Sequence, residues 1–196
     1  SLAGIPVVAQ TINAVNRSKS GRRFLQQTLG VHAEAPVPAY HSNPARRRLR
    51  QKVGRREADA VSAGGTKGRV VIFATCYGNR NQPGLVEDLN DVFEHNGIPT
   101  ALAEKERCCG MPKLELGDLE TVERYKNDNI EELYEWVEGG WDIIAPIPSC
   151  VLMFKQELPL LFPDDEKVAA VAAGFFDPFE YLMLRHKVGR LDTNFG

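Results

Sequence analysis

The sequence predicts an α/β protein: a parallel sheet with flanking helices, preceded by a helical, basic arm. Three observations carry that expectation. Short, compact apolar runs alternate with stretches of helical periodicity from residue 70 onward, the pattern of strands buried on both faces. The charge is split along the chain. Residues 1–69 hold thirteen Lys and Arg against three acidic residues, a net +10, whereas the following 127 residues carry eleven basic and twenty-three acidic groups, a net −12. Apolar residues make up 43% and charged residues 26%, enough for a core in a chain the length of one domain or somewhat more.

In residues 1–30, Ile5, Val8, Ile12 and Val15 fall on one helical face, and Phe24, Leu25 and Leu29 follow, with Gly30 placed to end that helix. These read as two amphipathic helices for packing on a partner domain, or on a membrane surface given the basic residues nearby. Residues 33–69 read as a linker. Pro36, Pro38 and Pro44 break helices, Arg46 to Arg56 is a basic run, and Ser62 to Thr66 is small and flexible. The basic run lacks interleaved aromatic residues, so a solvated or partner-facing segment is expected and nucleic acid is not. Residues 1–69 therefore form an arm and 70–196 a folded body.

Val70 to Ala74 reads as a buried strand running into Thr75-Cys76-Tyr77-Gly78-Asn79. Pro83 opens a helix with Leu85, Leu89, Val92 and Phe93 on one face, closed by Asn96-Gly97. Ile98 to Leu102 is a second strand, leading into Arg107-Cys108-Cys109-Gly110-Met111-Pro112. A long helix spans about Asp118 to Val137, with Leu119, Val122, Ile130, Leu133, Tyr134 and Val137 as its stripe, and Gly139-Gly140 ends it. Asp142 to Ile147 is a third strand, after which Ser149 is expected to cap a helix starting at Cys150. Two short helices follow, about Glu166–Ala172 and Pro178–His186, the first with an acid-rich start. Strand, helix, strand, helix, strand, helix implies a parallel, Rossmann-like sheet.

In such sheets, sites form beyond the carboxyl ends of the strands. All four cysteines, Cys76, Cys108, Cys109 and Cys150, fall at that position after three different strands. Thiolates gathered so suit a soft metal or an iron–sulfur cluster. The spacing is neither a zinc ribbon's paired knuckles nor a tight ferredoxin run. Adjacent Cys108 and Cys109 serve different irons of a cluster more easily than one small ion, yet four donors also satisfy a structural zinc, and both remain open. With no secretory signal, a disulfide framework is not expected.

The pattern of Cys76, thirty-one residues, Cys108-Cys109-Gly110, and Cys150 with forty residues between it and Cys109 resembles the cysteine-rich CCG domain. That domain marks the family of the heterodisulfide reductase B subunit and the anaerobic glycerol-3-phosphate dehydrogenase C subunit. The resemblance covers residues 70–196. Residues 1–69 resemble the segment joining a ferredoxin domain to the CCG domain, so a piece of a longer iron–sulfur oxidoreductase is expected. The resemblance implies an electron-transfer module that carries electrons from a flavin dehydrogenase partner to a quinone or thiol acceptor, without catalysis of its own. A missing ferredoxin or second CCG domain would be a further partner. It implies a [4Fe-4S] cluster on Cys76, Cys108, Cys109 and Cys150, with zinc as the alternative, in a cytoplasmic protein that is peripheral at most to the inner face of the plasma membrane. The family pattern usually ends Cys-x-x-Cys. Here Met153 replaces the last cysteine, which argues against the noncubane cluster that five cysteines hold. Met153, one turn after Cys150, is either aimed at the site or a core residue.

The loop Gly78 to Gly84 lacks dinucleotide and Walker spacing, so no nucleotide is expected there. Lys105 and Arg107 are placed either to offset a cluster's negative charge or as solvated loop charges. His32, His41, His95 and His186 are scattered, none at ligand spacing from a cysteine, and no Ser-His-Asp or paired-carboxylate site is visible.

Overall fold

The computed structural model describes residues 5–50, 53 and 60–195. Its centre is a four-stranded, wholly parallel sheet of β1 (Val70–Ile72), β2 (Thr100–Leu102), β3 (Asp142–Ile144) and β4 (Phe175–Phe176), in the order β2-β1-β3-β4. Val71 stands opposite both Ala101 and Ile143. Both faces are covered, which is why the strands read as unbroken apolar runs rather than alternating ones. Val71, Phe73, Ala101, Ile143 and Phe175 enter one core, whereas Val70, Ile72, Ala74 and Ile144 point into the other two clusters.

The larger core lies under α7 (Leu119–Glu138), α10 (Glu166–Gly174) and a rod made of α8 (Pro148–Leu152), a π-helical turn (Met153–Glu157) and α9 (Leu158–Leu161). Phe154 stacks on Phe175 with ring centres 4.8 Å apart, and Phe73 meets Phe154 edge-on at 5.2 Å. Asp118 caps α7 by accepting from Thr121 N, and Asp165 caps α10. The stripe of α7 is rotated from the expected one. Val122, Ile130, Leu133 and Trp136 are buried together with Lys126 and Asn129, while Leu119 is exposed.

On the opposite face lie α5 (Pro83–His95) and α11 (Pro178–Lys187). The buried face of α5 is Val86, Leu89, Asn90 and Phe93; Leu85, expected inside, is exposed. Asn90 is buried because its side-chain carbonyl accepts from Thr100 Oγ1 at 2.7 Å, a pairing that local apolar periodicity does not report. β4 is also new, since two residues are too few for a strand pattern.

The arm holds α1 (Pro6–Arg17) and α2 (Lys19–Leu29); Gly30 ends α2 at φ 69°. Ile5, Ile12, Val15 and Phe24 are exposed among the described residues. Arg22 is buried instead, donating to the carbonyls of His32, Ala33 and Ala35. The stretch expected to be linker contains α3 (Ala45–Leu49). Ala45, Leu49 and Val53 fill a cluster with Ile72, Ala74 and Val86, an i, i+4 spacing that the basic residues between them conceal. Arg46 and Arg48 then pair with Glu106 and Glu87 of the acidic body. Ser62 to Thr66 is not a flexible spacer either. Thr66 is buried, Ala63 and Thr66 pair as a bridge, and a Cβ on Gly64 would lie 2.3 Å from the Leu184 carbonyl oxygen. The basic positions 52, 55 and 56 lie outside the described residues. No described helix is long and apolar enough to cross a membrane.

Candidate metal centre

The chain leaves β1 toward β2 on one side and later enters β3 on the other side of β1, so the order of strands reverses between β1 and β3. That switch point opens a crevice at the carboxyl edge of a parallel sheet. Cys76 follows β1 as the first residue of α4 (Cys76–Arg80). Cys150 follows β3 within α8. Cys108 and Cys109 arrive from the loop after β2, just before α6 (Met111–Glu115).

Each loop is held by identifiable contacts. Thr75, buried before Cys76, adopts φ 63° and ψ 162°, and its hydroxyl accepts from Gly78 N at 3.0 Å. It is the one non-glycine at positive φ among the described residues, and for a β-branched residue that backbone is strained. The loop from Glu104 to Cys108 is fastened to α7. The Glu132 carboxylate accepts from Glu104 N and from Lys105 N. Asn129, 2% exposed, accepts from Arg107 N at 2.8 Å and donates to the Cys108 carbonyl at 3.1 Å. Glu106 accepts from Ala74 N at 2.6 Å, so it ties the β2 loop to the end of β1, and Arg46 lies 3.4 Å from its other oxygen. Burial pushes its carboxyl up to about 7, against the pull of Arg46 and the Ala74 N–H.

Gly110 sits at φ 100°, and a Cβ there would be 3.4 Å from the Met153 methyl. Gly110 is thus favoured by its backbone, while a Cβ would make only ordinary contact with the methionine beneath it. Met153 is fully buried in the core with Cys109, Met111 and Cys150, which places it beside the cysteines and in the core at once. Ser149 makes no cap; Ile147 occupies that position and receives the backbone bond of Cys150. Arg107 pairs with Asp128 at 3.4 Å on the surface.

The four cysteines are brought together. Cys76 is exposed, Cys108 half-buried, and Cys109 and Cys150 buried, all as free thiols. Their side chains contact in series: Cys76 with Cys108, Cys108 with Cys109, and Cys109 with Cys150. Hydrogen bonds from Cys109 and Cys76 pull the Cys108 thiol far down, so negative charge concentrates there. The same bonds push Cys76 and Cys109 up, and burial adds to the effect. Among the described residues, no three His, Cys, Asp or Glu side chains form a group placed around one metal ion. Cys76 and Cys150, the two ends of that series, also act on each other electrostatically, so the four thiols belong to one group. As a donor set, four soft sulfurs, each able to address a different atom of a larger inorganic group, fit an iron–sulfur cluster. The sequence identified the four cysteines but missed Asn129, Glu132 and Glu106, whose contacts with the cysteine loops span more than twenty residues of chain.

A parallel sheet whose carboxyl edge collects thiols from three crossover loops defines a cysteine-rich α/β domain. Residues 70–155 match the cysteine-rich domain family CCG. Among curated proteins, the chain is similar to the C subunit of the anaerobic glycerol-3-phosphate dehydrogenase of Escherichia coli strain K12, at 28% identity over 160 residues, covering 81% of this chain and 39% of that protein. It is also similar to lactate utilization protein A of Bacillus cytotoxicus, at 30% identity over 104 residues, covering 53% of this chain and 41% of that protein. The chain spans about two fifths of the length of these relatives. No solved structure matches it.

Proposed function

We propose that this chain is an electron-transfer module of an iron–sulfur oxidoreductase, with Cys76, Cys108, Cys109 and Cys150 as the ligands of a [4Fe-4S] cluster. The observation that carries the reading is the serial contact of four thiols from three separate loops at the switch point of the sheet. Such a cluster supplies reversible one-electron transfer. The protein's part is to hold the loops through Glu106, Asn129 and Glu132, to shield Cys109 and Cys150, and to leave Cys76 at the surface, where an electron enters or leaves. The relatives' names, a dehydrogenase subunit and a lactate utilization protein, support a place in a multi-subunit dehydrogenase acting on a hydroxy compound. In that setting a flavin subunit is the donor and a quinone or thiol the acceptor. The exposed apolar side chains of α1 and α2 support a docking role for the arm, on a further domain or at the inner face of the membrane in a cytoplasmic protein.

Anaerobic purification with iron, sulfide and zinc analysis tests the cofactor. Iron and sulfide in cluster ratio, with a signal on reduction by electron paramagnetic resonance, are expected. A colourless protein with no iron after reconstitution overturns the reading, and one zinc with no reducible chromophore replaces it with a structural metal site.

A further inference from the structure

Beside the cysteine edge, and separate from it, a cavity of 840 Å³ opens between α3, α4 and the loop after β2. Among the described residues, five cations line it, Arg46, Arg47, Arg50, Arg80 and Lys105, with one carboxylate, Glu104. Arg46 is committed to Glu106 and to the Glu104 carbonyl. The side chains of Arg47, Arg50, Arg80 and Lys105 have no ion pair or hydrogen bond among the described residues, whereas Arg48 on the same helix is paired with Glu87. Arg47 and Arg50 lie three positions apart on one helical turn, so both can reach one ligand. Ala101 and Leu102 of β2 give the cavity an apolar wall. Unpaired like charges around a concavity repel one another, and a multiply charged ligand removes that repulsion. Guanidinium forks match planar and tetrahedral oxyanions, and two or more forks select for more than one negative charge.

We infer that this cavity binds a small organic polyanion, a phosphate ester or a polycarboxylate, through Arg47, Arg50, Arg80 and Lys105. The inference does not depend on which metal the cysteines hold. An acidic peptide of a partner fits the charge too, but a concavity of this volume with an apolar wall is on the scale of a small-molecule pocket, and the peptide is an outcome of the test. The position links the ligand to the metal centre without placing it there. Arg80 ends the helix that Cys76 begins, and Lys105 lies three residues before Cys108.

Isothermal titration of the full chain with pyrophosphate and with citrate, at an ionic strength fixed with sodium chloride, tests the site. Saturable 1:1 binding of at least one is expected, and which of the two binds tighter separates phosphate from carboxylate as the preferred group. Arg80→Ser, and the exposed pair Arg47→Ser with Arg50→Ser, should each weaken it by about tenfold or more, the worth of a charge-assisted hydrogen bond. Arg80→Lys should retain more affinity than Arg80→Ser, and iron content should not change in any variant, which distinguishes loss of the site from loss of the fold. Non-saturable heats, affinity unchanged in Arg80→Ser and in the double variant, or binding of a polyglutamate peptide in place of both small anions would overturn the inference. Loss of iron without loss of anion binding would instead count against the metal reading alone.

Discussion

At the amino end of the sheet, Thr66, Asp142, Tyr181 and Arg185 are buried and bonded largely to main chain. Asp142 accepts from Lys67 N at 2.6 Å, the Tyr181 hydroxyl accepts from Gly68 N at 3.2 Å, and Arg185 donates to the Val61 carbonyl at 3.0 Å and to Thr66 Oγ1 at 3.1 Å. At the carboxyl end, the buried polar atoms are thiols bonded mainly to one another, flanked by a strained Thr75 and a carboxyl group raised by burial. The first arrangement satisfies fixed backbone groups and so fastens residues 61–68 to α11. The second bonds sulfur mainly to sulfur, with the N–H groups of Tyr77, Gly110 and Met111 added, so four soft donors face one another across three loops. Polarity at one end of this sheet therefore fastens segments of chain together, and at the other end it gathers sulfur donors.

The largest expected effect breaks the carboxyl end alone. Cys108→Ser removes the thiol that contacts two others. Iron bound after anaerobic reconstitution should fall to near zero, while the urea midpoint of the metal-free protein stays where it is. Full iron occupancy in this variant would remove Cys108 from the ligand set.

The reciprocal break is Arg185→Ala at the amino end. It takes the Arg185 donor from the Val61 carbonyl and the Thr66 hydroxyl, and it removes one of the two cations near Asp142, Lys67 being the other. Stability of the metal-free protein should drop by about 3 kcal/mol in urea unfolding, with iron per folded molecule unchanged. A variant that folds normally but binds no iron would show that the two ends are coupled.

The pH dependence sharpens the same contrast. Burial pushes Asp142 up to about 6 from an ordinary 3.8, against the Lys67 N–H and the Tyr181 hydroxyl. The folded state thus holds a proton that the unfolded state has lost between those values, so stability falls as pH rises from about 4 to 6 and is flat above. The fall is about 3 kcal/mol at most. Asp142→Asn keeps an acceptor for Lys67 N but cannot titrate, and its stability should lose this slope. An unchanged slope in denaturation curves between pH 4 and 6 would assign it to another group.

Much of this is legible in the sequence, and what is not has a common cause. The runs at Val70 and Asp142, the helix capped by Asp118 and the four cysteines are local signals, and each lies where its pattern places it. Periodicity puts Leu85 inside, and Val86 and Asn90 are there instead, because Thr100 from the neighbouring strand completes the bonding of Asn90. α3 is concealed because three arginines separate Ala45 from Leu49. Glu106 reads as one more charge in an acidic body until Ala74, thirty-two residues earlier, is seen to donate to it. Periodicity reports which face of an element is apolar; it does not report which polar side chain will find a backbone partner from another element.

The smallest effect concerns how the carboxyl end is built. Thr75 combines a positive φ, costing about 1–3 kcal/mol in a β-branched residue, with a hydroxyl that bonds the buried Gly78 N–H. Thr75→Val keeps the strain and abandons that N–H, so it should destabilise by about 2 kcal/mol. Thr75→Gly also loses the hydroxyl and adds freedom to the unfolded chain, but it releases the strain, and the net change should lie within about 1 kcal/mol of zero. The ordering of the two variants in denaturant unfolding is the measurement. If glycine proved as harmful as valine, the backbone at Thr75 would carry no strain, and its hydroxyl alone would explain why a threonine stands before Cys76. If glycine is the milder change, the first cysteine is presented by a turn that costs stability to hold, as expected of a binding edge and not of the fastened end opposite.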